Sequence, residues 1–165
     1  MTGDLRPKMK DLRLKWGFTL IEMLVVVSLI GVLTTLVAAN LNSARERARD
    51  TQRKSDARSI ETALRLYYQD YQAFPASGSS GEISGCGAGG TSVCEWGEEF
   101  EAGTNTYMSK LPKDPLPDQF YKYTVSADQE SYTLDSCLEN KSDDKGEDTT
   151  ELSWCPSGRM YRVQP

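Results

Sequence analysis

The sequence predicts an α+β fold: one long N-terminal α-helix, membrane-spanning in its first half and amphipathic in its second, packed on a small antiparallel β-sheet. Three observations predict it. Residues 18–39 are predominantly apolar and carry a single charge. Residues 41–73 contain no proline or glycine and carry an apolar stripe. The polar remainder contains two segments rich in Tyr, Thr and Val, separated by a polar turn.

The helix begins in the apolar block. Phe18 to Ala39 carries a single charged side chain, Glu22. As a helix this block spans about 33 Å, close to the hydrocarbon thickness of a bilayer. Before it, Arg6, Lys8, Lys10, Arg13 and Lys15 outweigh Asp4 and Asp11. A secretory signal peptide has a shorter apolar region that ends in a small-x-small cleavage site; here the run is longer and no such site follows. A buried core helix is disfavoured because the polar remainder has too little apolar surface to enclose it. A simple anchor fits the length but gives no use for Glu22, since an ionisable group in a membrane helix is costly and needs a partner. A free α-amine made by a cut between Gly17 and Phe18 would supply one. Cations flank the block on both sides, so charge alone does not orient it.

Beyond Asn40 the helix is expected to continue to about Phe74, where Pro75 stops it. Ala44 and Ala48, then Ala57, Ile60, Leu64, Tyr67 and Tyr71, form one stripe at helical spacing. Arg45, Glu46, Arg49, Asp50, Arg53, Asp56, Arg58 and Glu61 are expected on the other faces, and Arg47 and Lys54 add to the basic stretch 45–58. That stretch reads either as contacts to lipid headgroups or acidic neighbours, or as a solvated surface.

Residues 75–97, rich in Gly and Ser, read as an exposed connector. A short helix is expected around Thr104–Leu111, and Leu111-Pro-Lys-Asp-Pro115 as a rigid turn. Phe120–Ser126 and Ser131–Leu138 read as a hairpin, with Tyr121 and Tyr123 on one face and Tyr132, Leu134 and Ser136 on one face of the partner. Met160–Val163 reads as a third strand.

Composition narrows the function. The chain has 165 residues, a net charge of −5 and no histidine. His-based triads and His-ligated metals are excluded, and an acidic chain is a poor binder of nucleic acid. No catalytic constellation is visible, so the chain is expected not to be an enzyme. Cys86, Cys94, Cys137 and Cys155 all lie in the polar half, at spacings unlike a tight zinc pair. An even number in a core-poor domain favours disulfides and an oxidising compartment. Of three possible connectivities, Cys86–Cys94 and Cys137–Cys155 close the shorter loops. Asp143, Asp144 and Asp148 sit in an acidic, Gly-containing loop that reads as a calcium site or as a solvated turn.

The run Lys15-Trp-Gly17-Phe18-Thr-Leu-Ile-Glu22, followed by an uninterrupted apolar helix, resembles the prepilin motif of type IV pilins and type II secretion pseudopilins. The order of helix, Phe-Pro, long loop, Tyr-Met-x-Lys-Leu-Pro-Lys-Asp-Pro and Tyr-rich hairpin is similar in layout to the major pseudopilin. The resemblance implies a pilin-like fold. It implies a leader, residues 1–17, cut after Gly17 by a prepilin peptidase, N-methylation of Phe18, and Glu22 as the assembly carboxylate. It implies an assembly helix over 18–39, its amphipathic continuation over 40–74, and an extracytoplasmic loop and sheet domain over 75–165. The leader would lie in the cytoplasm, the helix in the inner membrane, and the domain in the periplasm or outside the cell. Implied partners are further copies, other pilins, an inner-membrane assembly platform and lipid. The resemblance also implies calcium in a C-terminal loop. Pseudopilins of the major class often carry proline near the end of the apolar block, where this chain has Ala39-Asn40-Leu41. An alternative is a minor or competence-type pilin whose segment 75–106 binds DNA, a surface or a secreted substrate; another is a monomeric membrane-anchored domain.

Overall fold

A computed structural model describes residues 17–165. Its elements are one helix, α1 (Leu20–Tyr71), and nine short strands: β1 (Ala76–Ser77), β2 (Ile83–Cys86), β3 (Ser92–Cys94), β4 (Phe100–Ala102), β5 (Asn105–Met108), β6 (Lys122–Val125), β7 (Tyr132–Cys137), β8 (Glu147–Asp148) and β9 (Arg159–Val163). The chain divides into two compact units at Asn40/Leu41.

Among the described residues of the first unit, the helix meets no core. Its described apolar side chains from Phe18 to Val37 are all exposed, and α1 is long and apolar enough to cross a membrane.

In the second unit α1 lies on three antiparallel sheets, ordered β1-β2-β3, β4-β5 and β6-β7-β9-β8. Ala57, Ile60, Leu64 and Tyr67 are buried, as their spacing predicts, against Ile83, Phe100, Leu111, Tyr121, Tyr123 and Leu134. The stripe differs from expectation at both ends. Ala44 and Ala48 are exposed, and the next buried positions down the same face are Asp50 and Arg53. At the other end Tyr71 is half-exposed, stacked on Tyr67 at 4.4 Å between ring centroids.

The helix ends at Tyr71 rather than near Phe74. Gln72 takes a left-handed φ of 55° and donates its N–H to the Tyr68 carbonyl at 2.8 Å, a reversal that ends helices without waiting for a proline. The turn drives Phe74 into the core, where its N–H reaches the Gln129 carbonyl at 2.9 Å.

The hairpin and third strand form as their alternation predicts: β6 pairs β7 through Tyr123↔Leu134, and β7 pairs β9 through Leu134↔Val163. Two expectations fail. The connector 75–97 contains the meander β1-β2-β3, and the segment expected to be helical around Thr104–Leu111 holds β5, paired with β4. Composition hides the meander because its strands are held by non-local devices. A Cys86–Cys94 disulfide crosses β2 and β3. The register shifts around Gly85, where a Cβ would stand 2.6 Å from that of Pro75, so only glycine fits. A second disulfide joins Cys137 to Cys155; both are the pairs that close the shorter loops.

Among the described residues the Tyr132 hydroxyl is buried without a hydrogen-bond partner, whereas Tyr123 reaches the Pro75 carbonyl at 2.7 Å and Tyr121 reaches Asp56 Oδ2 at 2.8 Å. An unsatisfied buried hydroxyl costs about 1–3 kcal/mol. Tyr132→Phe is therefore expected to stabilise the fold by about 1 kcal/mol, read as a thermal midpoint raised by roughly 3–6 °C. A lowered midpoint would show that the hydroxyl is satisfied.

Candidate functional site

The N-terminal segment is built around Thr19. Gly17 and Phe18 precede the helix, and Thr19 caps it: its Oγ1 accepts the Glu22 N–H at 3.2 Å and its carbonyl accepts the Met23 N–H at 3.3 Å. Thr19-Leu-Ile-Glu22 thus has the spacing of a capping box, with Glu22 in the first turn. Its carboxylate sits where free N–H groups and the helix dipole favour negative charge.

The surroundings make that charge conspicuous. Phe18 is 74% exposed and Leu20 83%, and the aliphatic side chains that follow are open as well. The hydroxyls along the helix are satisfied internally: Ser28 donates to the Leu24 carbonyl at 2.8 Å, Thr34 to Ile30 at 2.7 Å and Thr35 to Val32 at 2.7 Å. These bonds let a helix carry hydroxyls into lipid. Among the described residues no side chain pairs with Glu22 or covers the apolar surface around it. Among the described residues a β-carbon on Gly17 would meet nothing within 4 Å. The rest of the expected leader, residues 1–16, lies outside the described residues.

A second cluster was not foreseen. Arg53, fully buried, spreads its guanidinium over three carboxylates. Nε and Nη2 meet Asp114 Oδ2 and Oδ1 at 2.7 and 2.8 Å, and Nη1 meets Asp50 Oδ1 and Glu139 Oε1, each at 2.8 Å. Asp50 also accepts the Glu139 and Asn140 N–H groups at 2.9 and 2.8 Å. Arg49 forks onto Glu139 at 2.6 and 2.5 Å. Burial works against the charge on Arg53, but the bonds to Asp114 and Glu139 outweigh it and raise its pKa. The Arg49 hydrogen bond holds Glu139 below its ordinary value of 4.5. Arg49 and Arg53, expected to face lipid, neighbours or water, are instead bonded within the fold, tying α1 to the 111–115 turn and the end of β7. The signal was present in the sequence. Asp50 and Arg53 continue the spacing of the buried stripe, so polar residues there had to be paired.

The expected calcium ligands do not converge. Asp143 is engaged by Lys54, Asp148 by Arg159, and Asp144 is exposed. Among the described residues no group of three or more His, Cys, Asp or Glu side chains is placed to hold a metal ion.

An apolar N-terminal helix with one first-turn carboxylate, continuing into a helix packed on antiparallel sheets, defines the class of pilin-like subunits. No protein-family model and no solved structure matches the chain. It is 30% identical over 121 residues to the type II secretion system core protein G of Vibrio cholerae, covering 73% of this chain and 78% of that one. With the core protein G of Aeromonas hydrophila it shares 30% over 130 residues, 72% of this chain and 87% of that one; with that of Pectobacterium carotovorum, 34% over 99 residues, 60% of each. The chain belongs to the type II secretion system core protein G family. It is a structural protein and not an enzyme.

Proposed function

We propose that this chain is a structural subunit of a type II secretion pseudopilus, cut after Gly17 by a prepilin peptidase, N-methylated at Phe18 and polymerised through its N-terminal helix. The secretion system is the one named for its relatives, the type II secretion system core proteins G. The observation that carries the reading is Glu22: one ionisable side chain without a partner among the described residues, at the start of an apolar helix whose other described polar side chains are satisfied. In a bundle of such helices, the amine freed at Phe18 of another copy is a counter-charge of the right sign. It lies beyond the helix start, where Glu22 also sits.

The mature helix is stored in the cytoplasmic membrane with the leader side in the cytoplasm and the sheet domain outside. An inner-membrane platform extracts it, and lipid contact is exchanged for contact with neighbouring helices and other pseudopilins. Gly17 is the residue after which the peptidase would cut. The alternative role for segment 75–106, contact with DNA, is disfavoured: Glu95, Glu98, Glu99 and Glu101 are exposed there and repel phosphate.

Overproducing the chain with a cognate secretion platform tests the reading. Sheared cell-surface material is expected to contain fibres labelled by antibody to residues 75–165. Protein that stays wholly membrane-bound and monomeric under those conditions would overturn it.

A further inference from the structure

The loop between β7 and β9 carries the acidic run in which the family resemblance puts calcium, yet the Asp143 oxygens and Asp148 Oδ1 are already committed. The Asp143 carboxylate receives Lys54 Nζ at 2.6 Å on Oδ1 and 2.5 Å on Oδ2, and the Lys145 N–H at 3.0 Å on Oδ1. The Asp143 carbonyl accepts Arg159 Nη2 at 2.7 Å and Nε at 3.3 Å, and Arg159 Nη1 reaches Asp148 Oδ1 at 2.7 Å. The guanidinium lies against Gly146, where a β-carbon would stand 2.6 Å from Nε. Calcium takes six to eight oxygen ligands. Here the backbone and carboxylate oxygens around Asp143 face an ammonium and a guanidinium, whose charges would repel the ion. The residues present do not fit the metal.

We propose that Lys54, assisted by Arg159, is the built-in cation of this loop, standing where a relative would use a metal, so that the loop is ordered without calcium. Three features support this. Lys54 belongs to α1, so the ion pair fastens the loop to the helix as well as neutralising it. The pair is largely shielded, with side-chain exposures of 17% for Lys54 and 13% for Asp143. The ammonium also lies 5.9 Å from the ring centroid of Tyr161 on β9, a second electrostatic hold. The Cys137–Cys155 bridge closes the base of the same loop covalently. Consistently, burial pushes the Asp143 pKa up, but the bonds from Lys54 and the Lys145 amide overcome it and leave the value below 3.8.

The test is thermal unfolding of the full chain in detergent micelles, in millimolar calcium and in chelator, with isothermal titration of calcium alongside. The wild-type midpoint is expected to be the same in both buffers, with no saturable heat of calcium binding. In chelator, Lys54→Gln is expected to lower the midpoint by roughly 3–8 °C, and its effect should largely vanish in an Asp143→Asn background. Lys54→Arg, which keeps the charge, should retain the indifference to calcium if Lys54→Gln does not fold. A wild-type midpoint raised several degrees by calcium, saturable binding heat, or a Lys54→Gln protein that melts like wild type in chelator would each overturn the proposal.

Discussion

Replacing Glu22 with alanine is expected to leave the protein in the membrane and abolish its polymer. The two effects separate because the carboxylate acts oppositely in the two states. In a lone helix it burdens insertion, by up to about 2.5–3.5 kcal/mol at the membrane centre and less near the edge. Alanine therefore makes the anchor no worse. In the proposed filament the carboxylate would answer a buried amine on another copy, and truncating one partner of such a pair costs about 2–5 kcal/mol. At about 1.4 kcal/mol per tenfold, each subunit contact weakens by roughly thirty-fold to several thousand-fold. A polymer built of many such contacts cannot absorb that. Glu22→Gln, which keeps the shape and a capping oxygen but loses the charge, should assemble as poorly as alanine. That isolates charge from the capping geometry with Thr19. Quantifying subunit in sheared and membrane fractions reads the outcome, and normal fibre yield from either variant would refute the charge-pairing role.

The largest expected effect on the folded domain is that of Arg53→Met. Methionine matches much of the arginine's length but leaves the buried Asp50 and the Asp114 carboxylate, only 1% exposed at its side chain, without their shared cation. Removing one partner of a buried ionic network costs about 3–5 kcal/mol, which lowers the thermal midpoint by roughly 10–20 °C for a domain of this size. Asp50 keeps two backbone N–H donors and Asp114 keeps one, from Leu116 at 2.9 Å, so Asp114 loses the larger share of its bonds. An added Asp114→Asn substitution should return part of the loss, since it removes the orphaned charge. Calorimetry on the full chain in detergent decides this. A loss below about 1 kcal/mol would place Arg53 among ordinary surface ion pairs, whose usual worth this is.

The parts of the molecule that follow local rules were legible in the sequence. The apolar block, its single carboxylate, the stripe from Ala57 to Tyr67 and the Tyr-rich hairpin are periodic patterns of one or two side-chain types, and each forms as its period dictates. What escaped depends on partners far along the chain. Arg53 meets Asp114 and Glu139, which lie 61 and 86 residues away, and no spacing within α1 points to them. The meander of β1, β2 and β3 escaped because strands of two to four residues, rich in Gly and Ser, look like a connector until a disulfide and a bulge hold them. The strand β5 does not read as strand from its own residues, because the turn before it decides: Gly103, at φ 63°, reverses the chain between Ala102 and Asn105. The acidic loop misled for a different reason. Its composition suits a metal, but its cations come from α1 and β9.

Intact-mass measurement of the protein recovered from its native membrane tests the central claim most directly. The expected mass is that of a chain that begins at Phe18, carries one added methyl group and retains both disulfides. A stable protein with residues 1–17 still attached would have no free amine beside the helix start, and Glu22 would lose the counter-charge on which assembly is argued to rest.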